Sequence, residues 1–184
     1  MPVGFPAGKV FCAGDCVNSK NRFFRKDFLN KAYDLLNDVT PLDYDCGRLC
    51  DGKCCKGDQN DGMILFPGEK EFFVNEPDFE VRYDEKYSAF AVYCKGRCDR
   101  NKRPLACRIF PFMFYLSSEN KKKHITVAKD IRAKEECAIL QSDYDISKNF
   151  MRRMRMTAKK AETDSEVTDF IRELTFLLTD FGEL

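Results

Sequence analysis

Cysteine is the residue type whose number and spacing in this chain most clearly indicate chemistry. The sequence has 184 residues and ten cysteines, and seven of the ten fall at short spacing in two runs. The runs are Cys46, Cys50, Cys54 and Cys55, followed by Cys94, Cys98 and Cys107. Zinc ligands commonly come in pairs with two to four residues between them, and soft thiolates select zinc or iron–sulfur clusters over magnesium or calcium. The spacing therefore predicts at least one metal centre.

The adjacent pair Cys54–Cys55 constrains how such a centre is built. Side chains of neighbouring residues point in different directions in a helix or a strand. Both thiols can serve if they face two different metals, or one can bind metal while the other packs. A disulfide between neighbours would be strained.

The expected compartment bears on what the thiols do. Residues 1–9 contain Gly and Pro where a signal peptide needs a basic start and an apolar stretch. No apolar run approaches the ~18 residues of a membrane helix. We therefore expect a cytoplasmic protein without membrane contact, in which thiols stay reduced. Redox chemistry of the thiols and simple packing of cysteine as a small apolar residue remain alternatives, and packing suits Cys12, Cys16 and Cys137.

Basic residues surround both cysteine runs. Between Cys94 and Arg108 the chain has six Lys or Arg residues and one acid, Asp99. Cations lower the pKa of a thiol and reduce the cost of holding a tetrathiolate zinc site of charge −2. We expect Arg103 and Arg108 to donate to sulfur or to fix the loop, with Pro104 and Pro111 stiffening it. Solvated loop charges are the alternative.

The pattern of apolar residues predicts an α+β fold. Apolar spacing predicts a helix over residues 19–39, and alternation predicts strands near 63–66, 79–83 and 90–94. A short helix is expected over 67–74, and a hairpin of 110–116 with 123–128 around 117–120. Two further helices are expected from Ile146 and from Val167, the first basic and the second acidic, packed as a hairpin that balances their charges. We expect one domain over 1–184, with a metal-stabilised cysteine-cluster core at 44–140 and a helical hairpin at 143–184.

Four sequence segments together resemble a known family. They are Cys46-x3-Cys50-x3-Cys54-Cys55, Met63-Ile-Leu-Phe-Pro-Gly-Glu69, Cys94-x3-Cys98-Asp99 and Arg103-Pro104-Leu-Ala-Cys107-Arg108-Ile-Phe-Pro111. In this order they resemble the YkgJ-type cysteine-cluster family, described as a zinc- or iron-chelating domain. The resemblance covers about residues 44–140 and implies metal binding by eight cysteines, with Cys137 as a later single ligand. The ligand set it implies is Cys46, Cys50, Cys54, Cys55, Cys94, Cys98, Cys107 and Cys137.

The function expected from these observations is metal binding, with a structural or regulatory role. The cysteine spacing favours zinc as the cofactor, because the runs match neither the bacterial nor the plant ferredoxin pattern. An iron–sulfur cluster is the alternative cofactor. The alternative function is an iron–sulfur-dependent enzyme component of the protein lysine methyl transfer or redox type. The sequence has no C-x-x-C thioredoxin motif, H-E-x-x-H or phosphate loop, and we expect the lone His124 on an exposed strand. With a net charge of +1 and no Trp, a nucleic-acid partner is not expected, and the alternative is that the basic face of the first C-terminal helix meets nucleic acid or a membrane surface.

Overall fold

The computed structural model describes residues 19–55, 62–96, 98–119 and 122–180. Cys12 and Cys16 lie outside the described residues. Within these ranges the helices are α1 (Ser19–Leu36), α2 (Gly47–Cys50), α3 (Leu105–Ile109), α4 (Ala138–Gln141), α5 (Lys148–Ala161) and α6 (Ser165–Asp180). The strands are β1 (Met63–Ile64), β2 (Phe79–Asp84), β3 (Ala89–Cys94), β4 (Phe112–Glu119) and β5 (Lys122–Lys129). The chain thus has the α+β fold predicted from its sequence.

Two antiparallel sheets contain the strands. The first has the order β1-β3-β2, and its central strand β3 ends at Cys94, which pairs with Phe79 of β2. The alternation of Phe90, Val92 and Cys94 predicted this strand and its end. The second sheet is the hairpin of β4 and β5, which pair from Phe112 opposite Lys129 to Glu119 opposite Lys122.

The predicted turn of this hairpin at residues 117–120 is wrong. Ser117 and Ser118 continue β4 and pair with His124 and Lys123 of β5. Apolar alternation stops at Leu116, but the backbone ladder between the strands continues into the polar residues. An alternating apolar pattern therefore identifies the buried part of a strand but not its solvent-exposed end.

The largest apolar core lies between the long helices and the β4–β5 hairpin. Phe150 of α5, Ile171 of α6 and Phe114 of β4 are each at most 1% exposed and belong to one buried cluster. Leu29 of α1 and Leu105 of α3 complete its contact with the rest of the chain. This core consists of aliphatic and aromatic side chains, and the cysteine runs lie at its margin. The C-terminal helices therefore pack onto the central region.

Polar side chains begin the two C-terminal helices. The Ser147 hydroxyl accepts a hydrogen bond from the Phe150 N–H at the start of α5. Asp164 Oδ1 accepts from the N–H groups of Glu166 and Val167 at the start of α6. Asp164 therefore caps α6. None of the helices in the described ranges is both long and apolar enough to span a bilayer.

Candidate metal centre

The first cysteine run folds as two short helical turns separated by a sharp reversal. The Asp45 carboxylate accepts a hydrogen bond from the Gly47 N–H at the start of α2. After α2 the chain reverses through Asp51 and Gly52, whose φ angles are +51° and +66°. A 3₁₀ turn over Lys53–Cys55 follows at once. The reversal returns the Cys54–Cys55 pair toward the thiols at the two ends of α2, as residues in left-handed conformations allow.

A tight turn after β3 brings the second run against the first. Gly96 has a φ of +83°, and a Cβ at this position would stand 3.3 Å from the carbonyl oxygen of Cys55. The backbone between Cys94 and Cys98 therefore passes directly over Cys55. This contact joins two runs that are about 40 residues apart in the sequence.

Helix α3 carries Cys107, and buried polar contacts hold its N-terminal end. The Leu105 N–H donates to Glu69 Oε1 at 2.6 Å, while the Phe66 N–H donates to Glu69 Oε2 at 2.8 Å. The Tyr33 hydroxyl also donates to Oε1, at 2.6 Å. Glu69 is fully buried, and burial raises the pKa of its carboxyl. One carboxyl group thus links α1, the turn after β1 and the segment that carries Cys107.

Arg108 fixes the loop, which is one of the two roles predicted for it, the other being donation to sulfur. Its Nε donates to the carbonyl of Arg103 at 2.8 Å, and its Nη2 donates to the carbonyl of Asn101 at 2.7 Å. The guanidinium also stacks on the Tyr33 ring, 4.5 Å from its centroid. Arg108 therefore holds the loop that positions Arg103.

Cys137 lies in a small apolar cluster just before α4. Its neighbours in this cluster include Leu42, Ala133 and Ile139, and Cys46 packs against the same cluster. The side chain is 8% exposed. Cys137 and Cys46 are thus brought together although they are separated by most of the described chain.

The thiols influence one another in two sets that are joined by the Cys54–Cys55 contact. In the first set, burial raises the pKa of Cys46, and the charges of Cys137 and Cys50 raise it further. The pKa of Cys137 is raised by burial and also by Cys50. The pKa of Cys54 is raised first by its hydrogen bond to Cys55 and by burial, and then by the charges of Cys55, Cys46 and Cys50. The first set is therefore Cys46, Cys50 and Cys137, and Cys54 lies between this set and Cys55.

The second set forms around Cys107. Burial raises the pKa of the Cys107 thiol well above its ordinary value, and the charges of Cys98, Cys55 and Cys94 add to this rise. The pKa of Cys98 is raised first by burial, with Cys94 and Cys55 also raising it. The second set is thus Cys55, Cys94, Cys98 and Cys107.

The adjacent cysteines Cys54 and Cys55 contact each other and link the two sets of thiols. The Cys54 thiol donates a hydrogen bond to Cys55, which raises the pKa of Cys54 and lowers that of Cys55 to about 6. The guanidinium of Arg103 also lowers the pKa of Cys55. A thiolate at Cys55 is a competent metal ligand near neutral pH. The exposure of Cys54 argues against the use in which this cysteine only packs.

Arg103 supplies a positive charge to the second set. Its guanidinium donates to Cys98, and the charges of Cys55 and Cys98 raise its pKa despite the opposing effect of burial. Its Nε is buried and has no hydrogen-bond partner. An N–H in that position can donate to a metal-bound sulfur, and the cation offsets the negative charge of a four-thiolate centre. The residues around the second set therefore fit a metal–thiolate group.

The thiols are near one another but do not converge. The eight cysteines of the described ranges are all free. No three His, Cys, Asp or Glu side chains in those ranges are arranged to hold a metal ion. Cys54 and Cys94 are exposed, which argues against packing as their role, whereas Cys137 is buried among apolar side chains. His124 lies on β5 opposite Ser117, which confirms the predicted strand, but its side chain is half-buried and not exposed as expected.

The sequence did not indicate the role of Glu69 and Tyr33, two polar residues whose contacts hold the segment that carries Cys107. Glu69 lies in a Pro-Gly-Glu turn, where a carboxylate is ordinarily solvated. Glu69 could have been identified as an acidic residue that directly follows an apolar strand and a turn, in a segment that must return to the core.

No family model, curated protein or solved structure matches this chain.

Proposed function

We propose that this protein binds metal ions through eight thiolates arranged as two four-cysteine centres. Cys46, Cys50, Cys54 and Cys137 would form one centre, and Cys55, Cys94, Cys98 and Cys107 the other. The observation that carries the proposal is that the fold brings the two cysteine runs together: a Cβ at the Gly96 turn would stand 3.3 Å from the Cys55 carbonyl oxygen, and the Cys54 thiol is in contact with Cys55. Four sulfur ligands per site is the number that a closed tetrahedral zinc site uses.

Several features of the chain support ligation at these positions. The Gly96 turn against Cys55 and the Glu69 contact at Leu105 hold three separate segments of the second centre together. Arg103 stands beside that centre with an unpartnered Nε–H. Rotation about the Cα–Cβ bonds, which have three staggered positions each, would turn the sulfurs inward. The metal would supply the charge that keeps four thiolates together.

Zinc is the metal we propose for both centres, and its role is to stabilise the fold. Binding of a structural zinc by four cysteines contributes about 10–16 kcal/mol of free energy. That amount is significant here because the cysteine segments lie at the margin of the apolar core. An iron–sulfur cluster in the second centre is the alternative loading. The resemblance to the YkgJ-type family, on the four segments described above, agrees with either metal.

Cobalt substitution tests the assignment of ligands to centres. Co²⁺ bound by four thiolates absorbs strongly through sulfur-to-metal charge transfer, so we expect two equivalents of Co²⁺ to bind the reduced protein. Cys50→Ser and Cys98→Ser should each remove one equivalent, and the double variant should remove both. The double variant Cys12→Ser/Cys16→Ser is the matched control and should retain two. If the Cys50 and Cys98 variants keep the full signal, the proposed ligand set is wrong.

The Cys54–Cys55 pair provides a second test of the same proposal. Cys54→Ser should weaken the centre that loses signal in Cys50→Ser, and Cys55→Ser the centre that loses signal in Cys98→Ser. Combining Cys54→Ser with Cys50→Ser should therefore remove no more Co²⁺ than Cys50→Ser alone. Additive loss in that combination would contradict the division of the pair.

A further inference from the structure

A row of basic residues lies along the solvent-facing side of α5. Lys148, Arg152, Arg155 and Lys159 follow at intervals of four, three and four residues, which aligns them on one face of a helix. All four are exposed, and Lys160 is exposed beside Lys159. These five residues are named the basic stripe. At the rise of an α-helix the stripe is about 17 Å long.

The acidic residues that follow α5 in the sequence do not neutralise the stripe. Glu162 Oε1 accepts a hydrogen bond from the Ile125 N–H of β5 at 2.8 Å. Asp164 caps α6, and Asp169 and Glu173 both pair with Arg172 on the same helix. The sequence had suggested that a basic and an acidic helix would balance one another. These contacts bind four of the acids, Glu162, Asp164, Asp169 and Glu173, to groups outside the stripe.

The stripe has no carboxylate partner among the residues that the structure describes. Arg152 donates to the amide oxygen of Asn149 at 2.9 Å, one turn away. Arg153, which lies off the stripe, pairs with Asp38, two residues after α1, at 2.9 Å. The positive charge of α5 is therefore compensated at its edge toward α1 and left open on its outer face.

The stripe does not serve the stability of its own helix. Lys148 and Arg152, like Arg155 and Lys159, are pairs of equal charge four residues apart, which repel one another on a helix surface. Lys148 is the first residue of α5, where the helix dipole disfavours a cation, and the first turn has no acid. Only Lys159 and Lys160 at the far end suit the dipole. A locally unfavourable row of charges is expected where a surface meets an opposite charge.

The buried face of α5, opposite the basic stripe, limits which class of anionic partner the stripe can bind. Phe150, Met154, Ala158 and Ala161 are at most 2% exposed in the core. A helix that binds a membrane surface inserts its apolar face between lipids, and α5 has none available. A nucleic acid needs only a row of cations along its backbone, and arginine pairs with phosphate oxygens through two parallel hydrogen bonds. We propose that the basic stripe of α5 is a docking surface for the phosphodiester backbone of a nucleic acid.

Fluorescence anisotropy with a labelled 20-nucleotide single strand and a duplex of the same length tests this proposal on the full chain as purified. Five phosphate contacts predict a slope of log K against log salt of about −3.5 for the single strand and about −4.5 for the duplex. The triple variant Arg152→Gln/Arg155→Gln/Lys159→Gln should reduce the steepness of this slope by about 2–3. Because these side chains are exposed, the variant should keep the wild-type circular dichroism spectrum.

A matched variant separates the stripe from overall charge. Lys70→Gln/Lys86→Gln/Lys134→Gln removes three exposed lysines from other faces and should leave the slope within about 1 of the wild-type value. Equal loss in both triple variants would overturn the proposal, as would no binding at low salt. Binding to phosphatidylserine vesicles without binding to nucleic acid would assign the stripe to a lipid surface instead. Because α5 carries no cysteine, each of these outcomes is independent of whether the chain binds metal.

Discussion

Removing the buried carboxyl of Glu69 tests how the structure holds the segment that carries Cys107. Glu69→Ala leaves the N–H groups of Leu105 and Phe66 without their acceptor, and also the Tyr33 hydroxyl. Leu105 is 0% and Phe66 6% exposed, so water cannot readily replace the carboxyl. Each buried donor left unpaired costs about 1–3 kcal/mol. Part of this cost is offset because the carboxyl no longer has to be buried, which leaves a net loss of about 3–5 kcal/mol in the free energy of unfolding.

Urea unfolding followed by circular dichroism measures this loss. With a slope near 2 kcal/mol/M, the midpoint of Glu69→Ala should fall by about 2 M. Glu69→Gln keeps an acceptor for two donors but turns an amide N–H₂ toward the Phe66 N–H, so it should lose only about 1–3 kcal/mol. Glu85→Ala, at an exposed carboxylate, is the control and should change stability by less than about 0.5 kcal/mol. A loss below about 1 kcal/mol in Glu69→Ala would refute the assignment of Glu69 as the link between these segments.

The remaining predictions concern pH, a helix cap and the turn against Cys55. Burial raises the pKa of Glu69, so above pH about 4.3 the folded state binds more protons than the unfolded state. The free energy of unfolding should therefore fall as the pH rises from about 4.3 through the raised pKa. In urea titrations, Glu69→Gln should lose this dependence on pH. Asp164→Ala should lower the unfolding free energy by about 1–2 kcal/mol in urea, whereas the exposed Asp43→Ala should stay within about 0.5. Gly96→Ala and Gly52→Ala both force alanine into a left-handed φ, at a cost of about 1–2 kcal/mol, but only at Gly96 does the new Cβ meet Cys55. Gly96→Ala alone should therefore reduce Co²⁺ uptake by the second centre, and equal uptake in the two variants would contradict the contact.

The sequence predicted the longer elements of this fold because their apolar residues follow a regular period. The alternation in β2 and β3 places Phe79, Val81 and Phe90 against a small cluster around Val92, and the helical spacing in α5 and α6 buries one face of each helix in the largest core. The short helices α2, α3 and α4 have four or five residues each. That length is too small for a period to emerge, and their positions follow from tertiary contacts.

The candidate site was predictable in composition but not in arrangement. Spacing identified the two runs, and the alternation of β3 predicted that Cys94 lies at a strand end. The approach of Gly96 to Cys55 joins residues far apart in sequence, so no local pattern reports it. The burial of Glu69 depends on three donors from three segments, which sequence alone does not bring together.

The metal content of the protein purified without oxygen tests the central claim most directly. Elemental analysis and acid-labile sulfide are measured on the same sample, with the protein concentration fixed by amino-acid analysis. We predict two equivalents of zinc and a colourless protein, or iron with matching sulfide where a cluster replaces zinc in the second centre. A colourless, folded protein that contains neither zinc nor iron, and whose eight thiols all react freely with a thiol reagent, would contradict the claim that these cysteines bind metal.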